Sequence, residues 1–211
     1  MLLYVLLGDV VRSREVTDRE EFRRRLDRAC VAVSEQYEDD VYADAKVLKG
    51  IDEVAAVLTS LRSAYDIVRE FSDRLHPQPI RFALVRGEID VGLTEGDVAT
   101  MDGPAFHRAD ELLERVERTD LLFDLDVNEP ACEKAIADVI NLLLARKRER
   151  TDRQREIIEL YERYGTQRGV AEELDISQQA VSRALERAHW PVTSAIEERL
   201  QRTLERGERE W

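Results

Sequence analysis

Apolar residues run unbroken from Leu2 to Leu7 before Gly8, the pattern of a strand buried on both faces. In VTDREEFRRRLDRACVAVSEQYEDD, Phe22, Leu26, Ala29 or Cys30, Val33 and Tyr37 then recur at helical spacing. Thr17 or Asp18 is placed to cap that helix, with Glu20 or Glu21 completing a capping box. VYADAKVLKG alternates as a strand, and IDEVAAVL reads as its hairpin partner. A second amphipathic helix is predicted from about Thr59 to Leu75, where HPQP ends it. IRFALVRGEIDVG supplies a strand over 80–87, and LTEGDVATMDG a hairpin or loop. A helix opening at Pro104 puts Phe106, Ala109, Leu112, Leu113 and Val116 on one face, with His107 and Glu111 one turn apart on another. TDLLFDLDV reads as a final strand. The order β-α-β-β-α-β followed by further elements predicts an α+β fold with a ferredoxin-like N-terminal domain.

After Asn128-Glu129-Pro130 the strand signal stops and the pattern is helical to Trp211. The expected division is 1–128 for the α+β domain, 129–150 for a connecting helix ending in the basic run ARKRER, and 151–211 for an all-α domain. In that last part a helix over 152–164 ends near Gly165. TQRGVAEEL forms a short second helix, and a turn at Asp175 leads into SQQAVSRALERA. Val170, Leu174, Ile176, Val181 and Leu185 form the expected shared core, and Ala171 is small where helices must cross closely. With Ser177 as cap, Gln178, Gln179, Ser182, Arg183 and Arg187 make the polar face of the third helix. Gln suits adenine edges, Arg suits guanine edges or phosphates, and Ser suits either, so Ser177, Gln178, Gln179, Ser182, Arg183 and Arg187 are the candidate DNA-binding residues. The stretch resembles the helix-turn-helix of sigma-factor region 4 over roughly 40 residues. Asp175 stands where a turn glycine is common, and Asp tolerates the left-handed conformation better than most residues. The competing reading is a three-helix bundle that binds protein. A last helix carries Val192, Ile196, Leu200 and Leu204, a stripe for packing within the domain or for a two-helix dimer seam.

Charge sharpens both readings. Charged residues make up 36% of the chain and the net charge is −13, which argues against a membrane surface or a nucleic-acid coat protein. Residues 151–211 hold 10 Arg against 13 Asp plus Glu, so a DNA reader there must rely on close contacts rather than a long-range field. Only four lysines occur, which fits a salt-rich cytoplasm and a halophilic protein, with a GC-rich genome as the other source of the Arg bias. Cys30 and Cys132 have no metal-ligand spacing and read as free thiols in a reducing cytoplasm. MLLYVLL is too short for a signal peptide and no run approaches a membrane span, so a soluble cytoplasmic protein is expected.

Candidate chemistry in the first half rests on carboxylates. Asp9 follows the first predicted strand in LLGDVVRSR, and Asp52-Glu53 lies at the hairpin tip in LKGIDEVAAVL. A carboxylate at a strand end and another on a neighbouring hairpin suit Mg²⁺ with a nucleoside triphosphate. The bland alternative is a turn cap and a solvated hairpin tip. Arg12 and Arg14 suit either a phosphate or nearby acids.

Residues 1–127 resemble the nucleotide-cyclase fold, in which two metal-binding aspartates occupy the positions of Asp9 and Asp52. RFALVRGEIDVG is similar to that family's glycine-containing strand, and DGPAFHRADELLE to the helix that supplies its transition-state Asn and Arg. More closely, LLGDVVRSR, GIDEVAAVL and DGPAFHRADELLE resemble the SatD family. The cyclase resemblance implies Asn and Arg where this sequence has His107 and Glu111. Glu111 would repel the phosphates an arginine should neutralise, so the domain is expected to be catalytically inactive. Lys49 lies one residue off the base-recognising position.

The resulting expectation is a cytoplasmic transcription regulator with a cyclase-like sensor or dimerisation domain, binding double-stranded DNA as a homodimer and requiring no cofactor. The alternatives are a Mg²⁺-dependent nucleotide-binding or nucleotide-processing enzyme, and a protein-interaction adaptor with RNA polymerase as a candidate partner.

Overall fold

The computed structural model describes residues 2–210, with side chains as far as Gly207. Its elements alternate as strand β1 (Leu2–Val10), helix α1 (Arg19–Gln36), strands β2 (Val41–Lys49) and β3 (Glu53–Leu58), helix α2 (Ala64–Leu75), strand β4 (Ile80–Glu88), helix α3 (Pro104–Glu117) and strand β5 (Phe123–Asp126). Helices α4 (Pro130–Arg148), α5 (Asp152–Tyr164), α6 (Gln167–Glu173), α7 (Gln178–Arg187) and α8 (Trp190–Glu210) follow. Trp211, the expected end of the last helix, lies outside the described residues.

The five strands form one sheet in the order β2-β3-β1-β4-β5. The first four are mutually antiparallel neighbours, the arrangement of a split β-α-β-β-α-β unit, and β5 joins β4 in parallel after the α3 crossover. The fold is therefore α+β with a mixed sheet.

β1 is longer than its apolar run predicts. Gly8 does not end it. A Cβ there would come within 2.6 Å of the Phe82 ring and 2.7 Å of Val54, so glycine is needed for close approach inside the sheet. The Phe82 ring in turn packs 5.5 Å from that of Phe71 on α2. Asp9 consequently lies within the ladder, paired with Glu53 on one side and Arg81 on the other, rather than after the strand. The second helix also starts later than predicted, at Ala64. The buried Asp40 carboxylate takes Arg62 and Ser63 as donors, and the Asp40 carbonyl takes the Thr59 N–H, which holds residues 59–63 as a turn. Burial pushes that carboxyl up, but the Arg62 and Ser63 hydrogen bonds outweigh it and hold it below the usual range.

Alternation along the strands divides the core. Leu3, Val5, Leu7, Ala55, Val57, Ala83 and Val85 face α3, whose Ala105, Phe106, Ala109, Leu112 and Leu113 cover them. The start of the outer edge of β5 is closed by one side chain of α4, Asn141. The Asn141 carbonyl oxygen accepts from Leu122 N (2.8 Å) and Phe123 N (3.0 Å), and its amide donates to the Phe123 carbonyl (2.8 Å).

The chain forms two compact units, Met1–Asn141 with Gln201–Trp211, and Leu142–Leu200. The division thus falls inside α4 and α8 rather than at residue 151. Within the second unit the basic run is partly structural. Lys147 is buried in a 2.9 Å ion pair with Glu197, and Arg150 is buried against the Thr193 hydroxyl at 2.9 Å. The apolar stripe of α8 is divided as well: Leu200 and Leu204 are buried, while Val192 and Ile196 are exposed. Among the described residues no helix is long and apolar enough to cross a membrane.

Candidate functional site

In the Leu142–Leu200 unit, local chemistry fixes a three-helix frame for α7. Thr151 and Gln154 form a reciprocal capping box on α5, and Gly165 ends that helix in the left-handed conformation. Thr166 caps α6 by accepting the Gly169 N–H at 3.2 Å. A side chain at Gly169 would be crowded, since a Cβ would sit 3.1 Å from Tyr164 Cβ and 3.2 Å from the Thr166 hydroxyl. The turn into α7 places Asp175 at φ 51°, and Ile176 N–H bonds the Ala171 carbonyl at 3.0 Å. Ser177 then caps α7 through the Ala180 N–H at 3.2 Å.

The predicted core residues meet as expected. Val170, Val181 and Leu185 are buried with Ile157, Ile158, Ala171 and Ala188, and Leu174 and Ile176 pack at the margin. Sequence reasoning missed Trp190, whose ring meets Tyr161 edge-on at 4.7 Å and seals the frame from the α8 side.

The opposite face of α7 is disengaged. Gln178, Gln179, Arg183 and Arg187 are exposed, and none has a hydrogen-bond or ion-pair partner among the described residues. The two serines differ: Ser177 is spent on the cap, and the half-buried Ser182 donates to Glu186 at 3.4 Å. Elsewhere in the unit arginines are neutralised locally. Arg146, Arg153, Arg163 and Arg168 pair with Glu149, Glu156, Glu159 and Glu172 at 2.8, 2.6, 3.2 and 2.8 Å. Arg183 and Arg187 are exceptions, together with the exposed Arg148 on α4.

In the other unit the sheet brings Asp9 and Glu53 side by side, with Asp52 in the preceding turn. Asp52 Oδ1 is buried without a hydrogen-bond partner. Arg81 Nη1 lies 3.5 Å from Asp9 Oδ2. Burial and then the Glu117 carboxylate push the Asp9 carboxyl up to about 6 against the pull of Arg81. Asp110 on α3 is raised too, by burial and by Glu53. Arg81, Asp110 and Glu117 were not read from the sequence, although Arg81 shares the alternation that points Ala83 and Val85 toward α3.

Arg81 already serves Asp9, and among the described residues no group of three or more His, Cys, Asp or Glu side chains is disposed to hold a metal ion. His107 and Glu111 are both exposed. His107 Nε2 lies 3.1 Å from Asp102 Oδ1, and Glu111 has no partner among the described residues. The neighbouring Arg108 is committed elsewhere, pairing with Asp126 at 2.5 Å and donating to the Arg86 carbonyl at 3.2 Å. Arg12 and Arg14 are exposed and unpartnered among the described residues, Arg12 at a left-handed φ of 52°. Cys30 is a buried free thiol, pushed up to about 12 by burial, and Cys132 is also free.

A family model for SatD matches residues 3–193, nearly the whole chain. The chain belongs to the SatD family. No curated protein matches it. Two solved structures of a bacterial light-regulated adenylyl cyclase are similar over 59% of this chain, both with a TM-score of 0.41. One is 18% identical with 74% of its own chain covered, and the other is 15% identical with 43% covered. Likeness at that level carries no chemistry to this chain.

Proposed function

We propose that this SatD-family chain is a DNA-binding transcriptional regulator, in which α5, α6 and α7 act as a helix-turn-helix and the sheet-bearing unit serves as a cyclase-like sensor or dimerisation module without cyclase activity. One observation carries the reading. The exposed face of α7 presents two glutamines and two arginines free of internal partners, in a unit whose other arginines are mostly neutralised by nearby glutamates. Side chains with donors unspent and bidentate geometry suit base edges and phosphates, and a helix capped by Ser177 presents them from its first turn, at Gln178 and Gln179, to its last, at Arg187. The weak net charge of the unit then gives short-range binding and a shallow salt dependence. The partner is double-stranded DNA, and a homodimer presents two such helices to a two-fold site.

The test is selection of duplexes from a randomised pool by the full-length protein in dilute and in molar potassium chloride. The reading expects an enriched motif with two-fold symmetry at both salts, lost with Arg183→Ala or Gln179→Ala. A pool that never enriches sinks it.

A second reading is a nucleotide-binding role for Asp9, Asp52 and Glu53, favoured by the orphaned Asp52 oxygen and the raised Asp9 carboxyl. In that reading one or two of these carboxylates would hold Mg²⁺ together with the phosphates of the nucleotide, and Asp9→Ala should leave DNA selection intact. A protein-interaction adaptor with RNA polymerase as partner is the outcome to draw if duplex selection fails and the polymerase is retained by the wild-type protein.

A further inference from the structure

The two edges of the sheet are treated differently. The backbone N–H groups of Phe123, Leu125 and Val127, along β5 and just beyond it, are taken by Asn141, Asp124 and Glu133, whereas β2 borders an open groove of about 580 Å³ shared with α1. Cys30, Val31, Ala45 and Val47 give this groove an apolar lining. Val31 is 55% exposed, although it belongs to a helix whose other large apolar residues are mostly buried.

Charge on the groove is one-sided. Its two cations are already neutralised, Arg23 by Asp27 at 3.0 Å and Lys46 by Asp97 at 2.9 Å. Glu35 on α1, Glu38 in the turn that follows it and Asp44 on β2 are exposed and have no partner among the described residues. Three uncompensated carboxylates therefore flank an apolar lining.

The groove is poorly suited to an added strand. The Ala45 N–H is already spent on the Ser34 hydroxyl at 2.9 Å, and the β2 register shifts between Ala43 and Lys46 and again between Val47 and Lys49. What it can seat is side chains. Its lining stripe on α1, from Arg23 to Glu35, runs about 18 Å at the helical rise, the length of just over three turns.

We infer that this groove docks a cationic amphipathic helix of a partner protein, its apolar side chains resting on Val31, Ala45 and Val47 and its Lys or Arg side chains meeting Glu35, Glu38 and Asp44. The inference is independent of the DNA reading, which uses other residues in the other unit. A partner helix of this kind satisfies both halves of the surface at once, by apolar burial at the centre and charge complementarity at the rim.

The probe is a labelled peptide of about eighteen residues, built of Leu and Lys with the leucines at i, i+3, i+4 and i+7. It is titrated by fluorescence anisotropy into the full-length protein beside a peptide of the same composition in scrambled order. The patterned peptide should bind at least about tenfold tighter than the scrambled one, because only it lays leucines on one face. Reversing the rim with Glu35→Lys, Glu38→Lys and Asp44→Lys should weaken it at least about tenfold, and Val31→Ser by several-fold. A control with Glu95→Lys, Asp120→Lys and Glu198→Lys changes the net charge equally and should weaken it less than about threefold, since distant charges are screened. Circular dichroism confirms that each variant is folded. Equal losses in both triple variants, or equal binding of the scrambled peptide, would reduce the effect to long-range attraction and overturn the inference. A protein dimer that the rim reversal dissociates would assign the groove to a second copy and overturn it as well.

Discussion

Helices α3 and α7 are built alike and used differently. Each buries one apolar face, with Phe106, Ala109 and Leu112 on α3 and Val181 and Leu185 on α7. On α3 much of the polar face is engaged: His107 with Asp102, Arg108 with Asp126 and the Arg86 carbonyl, Arg118 with Glu114. On α7 Gln178, Gln179, Arg183 and Arg187 are left free among the described residues. Donors spent inside the fold hold it together, and donors left unspent on a rigid helix remain for a partner. That difference, rather than net charge, is the ground on which α7 is proposed as the interface.

The comparison breaks most severely if the frame of α7 is removed. Leu185→Ala empties a buried site, and the expected cost is about 2–5 kcal/mol of stability in that unit, with DNA selection lost as a consequence. Denaturant melts of the variant check it.

Arg183→Ala sharpens the contrast. It should cost about 1–3 kcal/mol in duplex affinity, as loss of a bidentate contact does. The melting curve should stay within about 0.5 kcal/mol, since the exposed side chain makes no hydrogen bond or ion pair among the described residues. Arg108→Ala on α3 should do the reverse. Its ion pair is one-third exposed, so the loss is discounted to about 1 kcal/mol of stability, with duplex affinity unchanged. Running both variants through both assays crosses the two helices directly, and equal behaviour in either assay would erase the distinction drawn between them.

The smallest effect is one of pH. Because the folded-state carboxyl of Asp9 is raised to about 6, the folded state binds this proton more tightly than the unfolded chain. Its contribution to stability is present in full below the unfolded value near 3.9 and is lost as pH rises toward and through about 6. Asp9→Asn lacks that loss. Its melting temperature should therefore gain on wild type between about pH 4 and 6 and then run parallel. Parallel curves over the entire range would show that burial and Glu117 do not act on Asp9 as described.

Much of this architecture is legible from local signals. The caps at Asp18, Thr166 and Ser177 fall where a small polar residue precedes an apolar-periodic run, and the stop at Gly165 follows from the left-handed C-cap. What the sequence hides is set by contacts distant along the chain. Gly8 reads as a strand end because nothing local announces the Phe82 ring above it. Asn141 reads as a polar helix residue because the edge it closes lies eighteen residues earlier. Lys147 and Arg150 look like part of a solvated basic run, and only the fold supplies Glu197 and Thr193. The carboxylates suffered similarly. Asp9 is visible as an acid, but the Arg81 and Glu117 that act on its carboxyl come from two other elements.

The most direct test of the account is genome-wide crosslinking of the tagged protein in its own cells, beside the Arg183→Ala variant at equal abundance. The account predicts discrete peaks sharing a two-fold motif in the wild type and their loss in the variant. A map without peaks, or one that Arg183→Ala leaves unchanged, would contradict the assignment of α7 as a DNA-reading helix.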